Sequence, residues 1–298
     1  MATSDKHGSR TIFVCQQCGK ESLKWLGRCP GCQQWNSLIE KTVASAATSS
    51  RSTSQITPPQ ELSQVTIEAA DRLSLPLAEF NRVLGGGLVP GSLMLIGGDP
   101  GIGKSTLVLQ VSALVARTRG RVVYVSGEET LHQIKLRAER LGITGENLYL
   151  LAETDLEAIL SQIEELSPSL VVIDSIQAVY LPELDMAPGS ITQVRECTMR
   201  LMHWAKSSGV PTFIIGHVTK DGAIAGPRAL EHIVDVVLYL EGEPFSAHRL
   251  LRGVKNRFGS TNEIGVFEMK EQGLIEVENP SQAFLSQRWA EAIGSVVV

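Results

Sequence analysis

The chain has 298 residues, 43% of them hydrophobic and 20% charged, with a formal net charge of -5. That length and apolar content suffice for one large core plus a small appended module, and the acidic balance excludes a protein that coats nucleic acid by bulk charge. No run reaches the roughly 18 apolar residues of a membrane span and no apolar signal core opens the chain, so a cytoplasmic protein without membrane contact is expected.

Four of the five cysteines fall between residues 15 and 32. Cys15-Gln-Gln-Cys18 and Cys29-Pro-Gly-Cys32 are two C-x-x-C turns, the usual way for a short chain to present four thiolates to one tetrahedral Zn²⁺. Residues 1–41 are therefore read as a four-cysteine zinc ribbon with ligands Cys15, Cys18, Cys29 and Cys32. Two unrelated cysteine pairs are the plain alternative; the likeness of the two turns favours a single metal. Trp25 and Trp35 are expected to give the module most of the apolar surface it can bury, and metal the rest of its stability, on the order of 10 kcal/mol or more. Four thiolates fill the coordination sphere, so the module docks rather than catalyses. Six basic residues against three acids give residues 1–41 a formal +3, and a zinc tetrathiolate brings this near +1. Charge alone therefore does not make the module a DNA-binding surface.

Residues 42–62 are rich in Ser, Thr and Ala without period and read as a flexible linker. Residues 63–283 carry the globular pattern, and 284–298 form a tail. Gly85-Gly86-Gly87 is read as a sharp turn, since no Lys-Ser/Thr pair follows it to make a phosphate loop.

Ser92–Gly97 predicts a short buried strand, and it runs into Gly98-Asp99-Pro100-Gly101-Ile102-Gly103-Lys104-Ser105-Thr106. This fits G-x-x-x-x-G-K-[ST] without a gap. The glycines let backbone N–H groups cradle phosphates, Lys104 addresses the β/γ oxygens, Ser105 offers a hydroxyl to Mg²⁺, and the helix starting there favours the same anion. The chain is read as binding ATP with Mg²⁺.

Three further strands should deliver chemistry from their carboxyl ends, where open α/β sheets bind ligands. Arg121–Ser126 leads into Glu128, the candidate base for a hydrolytic water, with Glu129 its neighbour; helix capping is the plainer role for either acid. Leu170–Ser175 ends in Asp174, a Walker-B carboxylate for the Mg²⁺ shell, with a capping aspartate as the alternative. Pro211–Gly216 delivers His217, a γ-phosphate sensor or a satisfied polar residue. Between the last two strands, Ile191–Ser208 predicts an amphipathic helix burying Val194, Cys197, Leu201, Trp204 and Ala205, so Cys197 is a core residue. Segments 177–190 and 219–228 lack period and follow strand tips; the second carries Lys220 and Arg228. They are loops for a second ligand or plain surface connections. Lys255 and Arg257 share one face if extended, an exposed cation pair that is a candidate finger for a neighbouring chain's γ-phosphate.

The two C-x-x-C turns, then Gly98-Asp-Pro-Gly-Ile-Gly-Lys-Ser-Thr106, then Lys255-Asn-Arg-Phe-Gly259, in this order and spacing, resemble the bacterial RadA/Sms DNA-repair ATPases. The resemblance implies an α/β, RecA-like P-loop ATPase with a mostly parallel central sheet flanked by helices, assembled as a hexameric ring. It implies an ATP-driven motor on single-stranded DNA that branch-migrates recombination intermediates with the recombinase. Lys220 and Arg228 are then candidate DNA contacts, Lys255 and Arg257 complete the site across the subunit interface, and the ribbon couples DNA or recombinase contact to turnover. The family usually continues into a Lon-protease-like domain, and this chain is expected to stop before it. Two alternatives are a nucleotide-gated scaffold that binds DNA or proteins without translocating and, with no support from the ribbon, a phosphotransferase of the circadian-clock type.

Overall fold

The computed structural model describes residues 9–15, 20–22, 24–35, 37–44, 59–64, 72–217, 229–242 and 246–279. Cys18, Lys220 and Arg228, most of the linker and the whole of 284–298 lie outside the described residues. The chain divides into two compact units, Met1–Thr66 and Ile67–Val298.

In the first unit, β1 (Ser9–Cys15) is the centre of a three-stranded sheet, with β2 (Glu21–Ser22) and β3 (Leu38–Ala44) antiparallel on either side. Its buried cluster is Cys15, Cys29 and Leu38, with Phe13 and Cys32 packed against them. The two tryptophans correct the expectation: Trp25 is 57% and Trp35 69% exposed. Both rings flank Gly27, and the Arg28 guanidinium lies 5.7 Å from the Trp35 ring centroid. Among the described residues of this unit, Cys15, Cys29 and Leu38 fill the buried apolar positions, and the indoles lie outside them.

The second unit runs α1 (Ala78–Leu84), β4 (Leu93–Gly97), α2 (Lys104–Arg119), β5 (Val122–Ser126), α3 (Leu131–Arg140), β6 (Leu148–Ala152), α4 (Leu156–Leu166), β7 (Leu170–Asp174), α5 (Ile191–Ser208), β8 (Thr212–Ile215), β9 (Val236–Glu241), β10 (His248–Asn256), β11 (Ile264–Lys270) and β12 (Gly273–Glu276). The order across the sheet is β12-β11-β10-β9-β4-β8-β7-β5-β6. The six strands from β9 to β6 are parallel, and β10, β11 and β12 extend the sheet antiparallel.

Buried parallel strands alternate their side chains between two covered faces. Met94, Ile96, Tyr124, Val172, Phe213 and Leu238 point to one face, where α1, α2 and α3 supply Phe80, Val108, Val111 and Ile134. Leu95, Val123, Val171, Ile173, Ile214 and Val237 point to the other, against Ile159 and Ile163 of α4 and Val194, Leu201 and Trp204 of α5. Each fully buried aliphatic side chain is worth about 1.5–3 kcal/mol of transfer free energy, so the parallel strands are held as one rigid plane. Cys197 is buried on α5 as expected, and burial pushes its thiol up to about 12. The triple glycine is the expected sharp turn, and it also ends α1: Gly85 adopts φ 77° as the helix C-cap and donates to the Asn81 and Arg82 carbonyls, and Gly86 and Gly87 keep positive φ. Among the described residues no helix is long and apolar enough to cross a membrane.

Candidate nucleotide site and metal-binding module

The strand, glycine loop and helix occur in the order the sequence requires. β4 is buried along its length, and α2 begins at Lys104 with Gly103 as its N-cap and no side chain spent on capping, so its first N–H groups remain for an anion. Gly98 has φ 143°, and a Cβ there would stand 2.3 Å from the Leu240 carbonyl oxygen. Only glycine lets the chain leave β4 at this point. Lys104 is 3% exposed, and its ammonium donates to the carbonyls of Gly98 (2.7 Å) and Asp99 (2.9 Å). Burial lowers its pKa, and the charges of Asp174, Asp99 and Glu128 oppose that fall. One desolvated cation and three acids thus share the mouth of the loop.

Asp174 ends β7 in register with Ser126 at the end of β5, and its carboxylate is buried. The Tyr124 hydroxyl donates to it at 2.5 Å. Burial, then the adjacent Asp174 charge, raises the tyrosine's pKa well above its usual value, which keeps it a donor. Glu128, beyond the tip of β5, is half exposed. It accepts a short hydrogen bond from the Ser175 hydroxyl, and His217 Nε2 lies 3.6 Å from the same carboxylate oxygen. Gln177 donates to the His217 carbonyl at 3.3 Å, which ties the loop after β7 to the end of β8. Glu129 is held differently, paired with Arg137 of α3 at 2.5 Å. Of the two adjacent acids, Glu128 is the one turned toward the Asp174 side of the site. Beside the downstream end of the loop, Thr106, Arg140, Leu141, Met269 and Gly273 line a cavity of about 470 Å³.

Sequence reasoning passed over Tyr124 and Ser175. Tyr124 carried a signal: a phenol set among the valines of a buried strand must find a partner for its hydroxyl. Ser175 follows Asp174 directly, but nothing in its spacing points to Glu128.

The cation pair needs correction. Lys255 and Arg257 are not an equally exposed pair: Lys255 lies within β10, which ends at Asn256, and is partly buried, while Arg257 opens the turn beyond and is exposed. The Lys255 ammonium is half buried and donates to the carbonyls of Glu231 (2.6 Å) and Val234 (2.7 Å). Desolvation, then the Arg257 charge, lowers its pKa, while Asp235 and Glu231 pull the other way. Arg257 is 54% exposed and lies 3.3 Å from Asp235 Oδ1. Its backbone N–H donates to the Asp235 carbonyl, and the Asp235 N–H donates to that of Leu93, the first residue of β4. Arg257 therefore sits at the amino end of the strand whose carboxyl end carries the glycine loop. Five residues at about 3.3 Å put it roughly 16 Å from its own Gly98.

In the first unit, the sulfurs of Cys15, Cys29 and Cys32 all lie within 4.8 Å of one another, and Gly31 N–H donates to Cys29 Sγ at 3.3 Å. Backbone N–H bonds to sulfur stabilise thiolates, and three converging thiols fit a tetrahedral soft-metal site whose fourth expected ligand, Cys18, is undescribed. One zinc per purified chain is expected by emission spectroscopy, falling to below about 0.1 in Cys29→Ser. A stoichiometric disulfide without metal would remove the site.

Residues 57–223 match the family model described as an AAA domain, and residues 13–40 match that of the rubredoxin metal binding domain. The DNA repair protein RadA of Halalkalibacterium halodurans is 57% identical over 293 residues and that of Bacillus subtilis 55% over 294. Each alignment covers 97% of this chain and 64% of the relative, so the chain spans about 64% of the length of these curated relatives. Among solved structures, the KaiC-like protein PH0186 of Pyrococcus horikoshii superposes with a TM-score of 0.56 at 20% identity, over 69% of this chain and 98% of that one. That likeness bears on the fold, a mostly parallel RecA-like sheet between helices. With the family model covering more than half of it, the chain belongs to the AAA domain family, and its expected resemblance to the RadA/Sms branch holds along nearly its whole length.

Proposed function

We propose that this chain is an ATP hydrolase of DNA repair whose turnover is coupled to single-stranded DNA. The observation that carries the reading is the convergence of Lys104, Asp174 and Glu128 where three strands of one sheet end. In this reading the loop N–H groups and Lys104 hold the phosphates, and the nucleoside lies in the cavity beside Thr106. Ser105 and Asp174 hold Mg²⁺, the ion that would neutralise charge on the transferred phosphoryl oxygens. Glu128 orients the attacking water, and His217, in reach of the same carboxylate, senses whether the γ-phosphate is present. Its link through Gln177 joins the site to the loop after β7, which reports nucleotide state to DNA. Arg257, too far from its own loop, completes the site of a neighbouring copy in a homo-oligomeric, hexameric ring, with Lys255 as the anchor of its turn.

The names of the RadA relatives support DNA repair as the setting. Branch migration of recombination intermediates alongside a recombinase, with Lys220 and Arg228 on the DNA and the zinc ribbon as the coupling module, is the proposed role. The test is steady-state ATP hydrolysis with and without single-stranded DNA, alongside displacement of a labelled strand. DNA should raise kcat several-fold, and Glu128→Gln should lower it about 10²- to 10³-fold with ATP affinity retained. A rate indifferent to DNA, with no strand moved, would instead favour a nucleotide-gated scaffold.

A further inference from the structure

Asp235 is a buried carboxylate at the amino end of the sheet, its side chain 2% exposed, and three donors meet it. Leu93 N–H reaches Oδ2 at 3.1 Å, Lys206 Nζ of α5 reaches Oδ2 at 2.7 Å, and Arg257 Nη1 reaches Oδ1 at 3.3 Å. The backbone of the turn that carries Arg257 has further fastenings away from this ion cluster. Arg72 donates to the carbonyls of Gly85 and Phe258 at 2.6 Å each, Asn256 donates to the Leu84 carbonyl at 3.2 Å, and Phe258 N–H returns to Asn256 Oδ1 at 2.9 Å. The backbone is thus fixed by neutral acceptors, while the guanidinium, more than half exposed, has one ionic contact that it can leave.

We propose that Asp235 and Lys206 are positioning residues for Arg257. Asp235 holds the guanidinium at the sheet's amino end until a neighbouring chain's γ-phosphate takes it, and Lys206 keeps the buried carboxylate neutralised after it has gone. The physical need is plain. A buried charge stripped of its partner costs several kcal/mol, which would tie an arginine with a single buried counter-ion to its own chain. Lys206 bonds the other carboxylate oxygen and so remains when Oδ1 is vacated. Its ammonium also lies 5.7 Å from the Phe258 ring centroid, a second contact to the same turn. Lys206, on α5 at the end of the sheet away from the glycine loop, touches no part of the nucleotide site.

This rests on the reading of Arg257 as a donor to another chain, and the test separates the two. Lys104→Ala chains carry the donor without a working site; Arg257→Ala chains carry the site without the donor. Mixed, they should regain part of the parental turnover. Adding Lys206→Gln to the Lys104→Ala donor should cut that recovery about tenfold, and Lys206→Arg should restore it. Alone, Lys206→Gln should lower kcat by a similar factor with ATP affinity and KM unchanged, whereas a residue of merely structural value would shift the unfolding temperature and leave kcat intact. Equal recovery from both donors, or kcat unchanged in Lys206→Gln, overturns the proposal. No recovery from the Lys104→Ala donor itself, or parental turnover in Arg257→Ala, overturns the trans reading and this proposal with it.

Discussion

Arg257→Ala should bind ATP as the parent does and lose about 10³- to 10⁵-fold of its stimulated turnover, roughly 4 to 7 kcal/mol of barrier. The split follows from position. Arg257 stands about 16 Å from its own loop at the opposite end of β4, too far for a side chain to contribute to ATP binding within the same chain. In the proposed arrangement it supplies charge stabilisation that exists only in the transition state, so the loss should fall on kcat. Nucleotide affinity by fluorescence titration and single-turnover hydrolysis in the assembled state measure the two separately. Hydrolysis at the parental rate would end the assignment.

Lys104→Ala should lower ATP affinity at least about 100-fold and take turnover below detection, a loss of about 10³-fold or more. The ammonium is buried, and its only described partners are two carbonyls of the loop that it would serve. A phosphate replacing those carbonyls meets a cation already stripped of most of its water, where each charge-assisted bond is worth more than at the surface. The alanine chain should remain folded, because β4 and α2 are secured by the apolar layers on either side of the sheet. Unchanged thermal unfolding together with lost binding is the expected pair of results; retained turnover would take the loop out of the chemistry.

The parts of this site that can be read from the sequence are those that depend on local rules. Gly98 to Ser105 specifies its own geometry, since the backbone must leave β4 where no Cβ fits. The helix at Ile191–Ser208 is legible to the residue because Ser190 caps it by accepting from Gln193 N–H, its apolar face keeps a 3.6 period, and Gly209 stops it. Tertiary partners left no such trace. Leu148–Ala152 is an edge strand with an apolar run too short to tell from a helical turn. Lys255 and Arg257 alternate as an extended pair would, yet the Lys255 ammonium is drawn onto the Glu231 and Val234 carbonyls while Arg257 stays exposed beyond the strand's end at Asn256, and neither partner has a spacing of its own. Trp25 and Trp35 looked like a core because indoles usually bury, but Cys15, Cys29 and Leu38 hold the buried positions. Asp235 stood before a strand with nothing local to distinguish it, and its three donors come from β4, α5 and the turn after β10.

The ends of β4 differ in kind. In the proposed arrangement one end receives a triphosphate and the other offers the arginine, so each chain would have a giving face and a receiving face, and a contact that joins them leaves one of each unmatched. Such an arrangement cannot be closed by a twofold pair. An open row of chains always has one working site fewer than it has members, whereas a closed circuit has none idle. Turnover per chain should therefore rise with the length of a row and step to its full value on closure, a signature that a self-contained site would never produce.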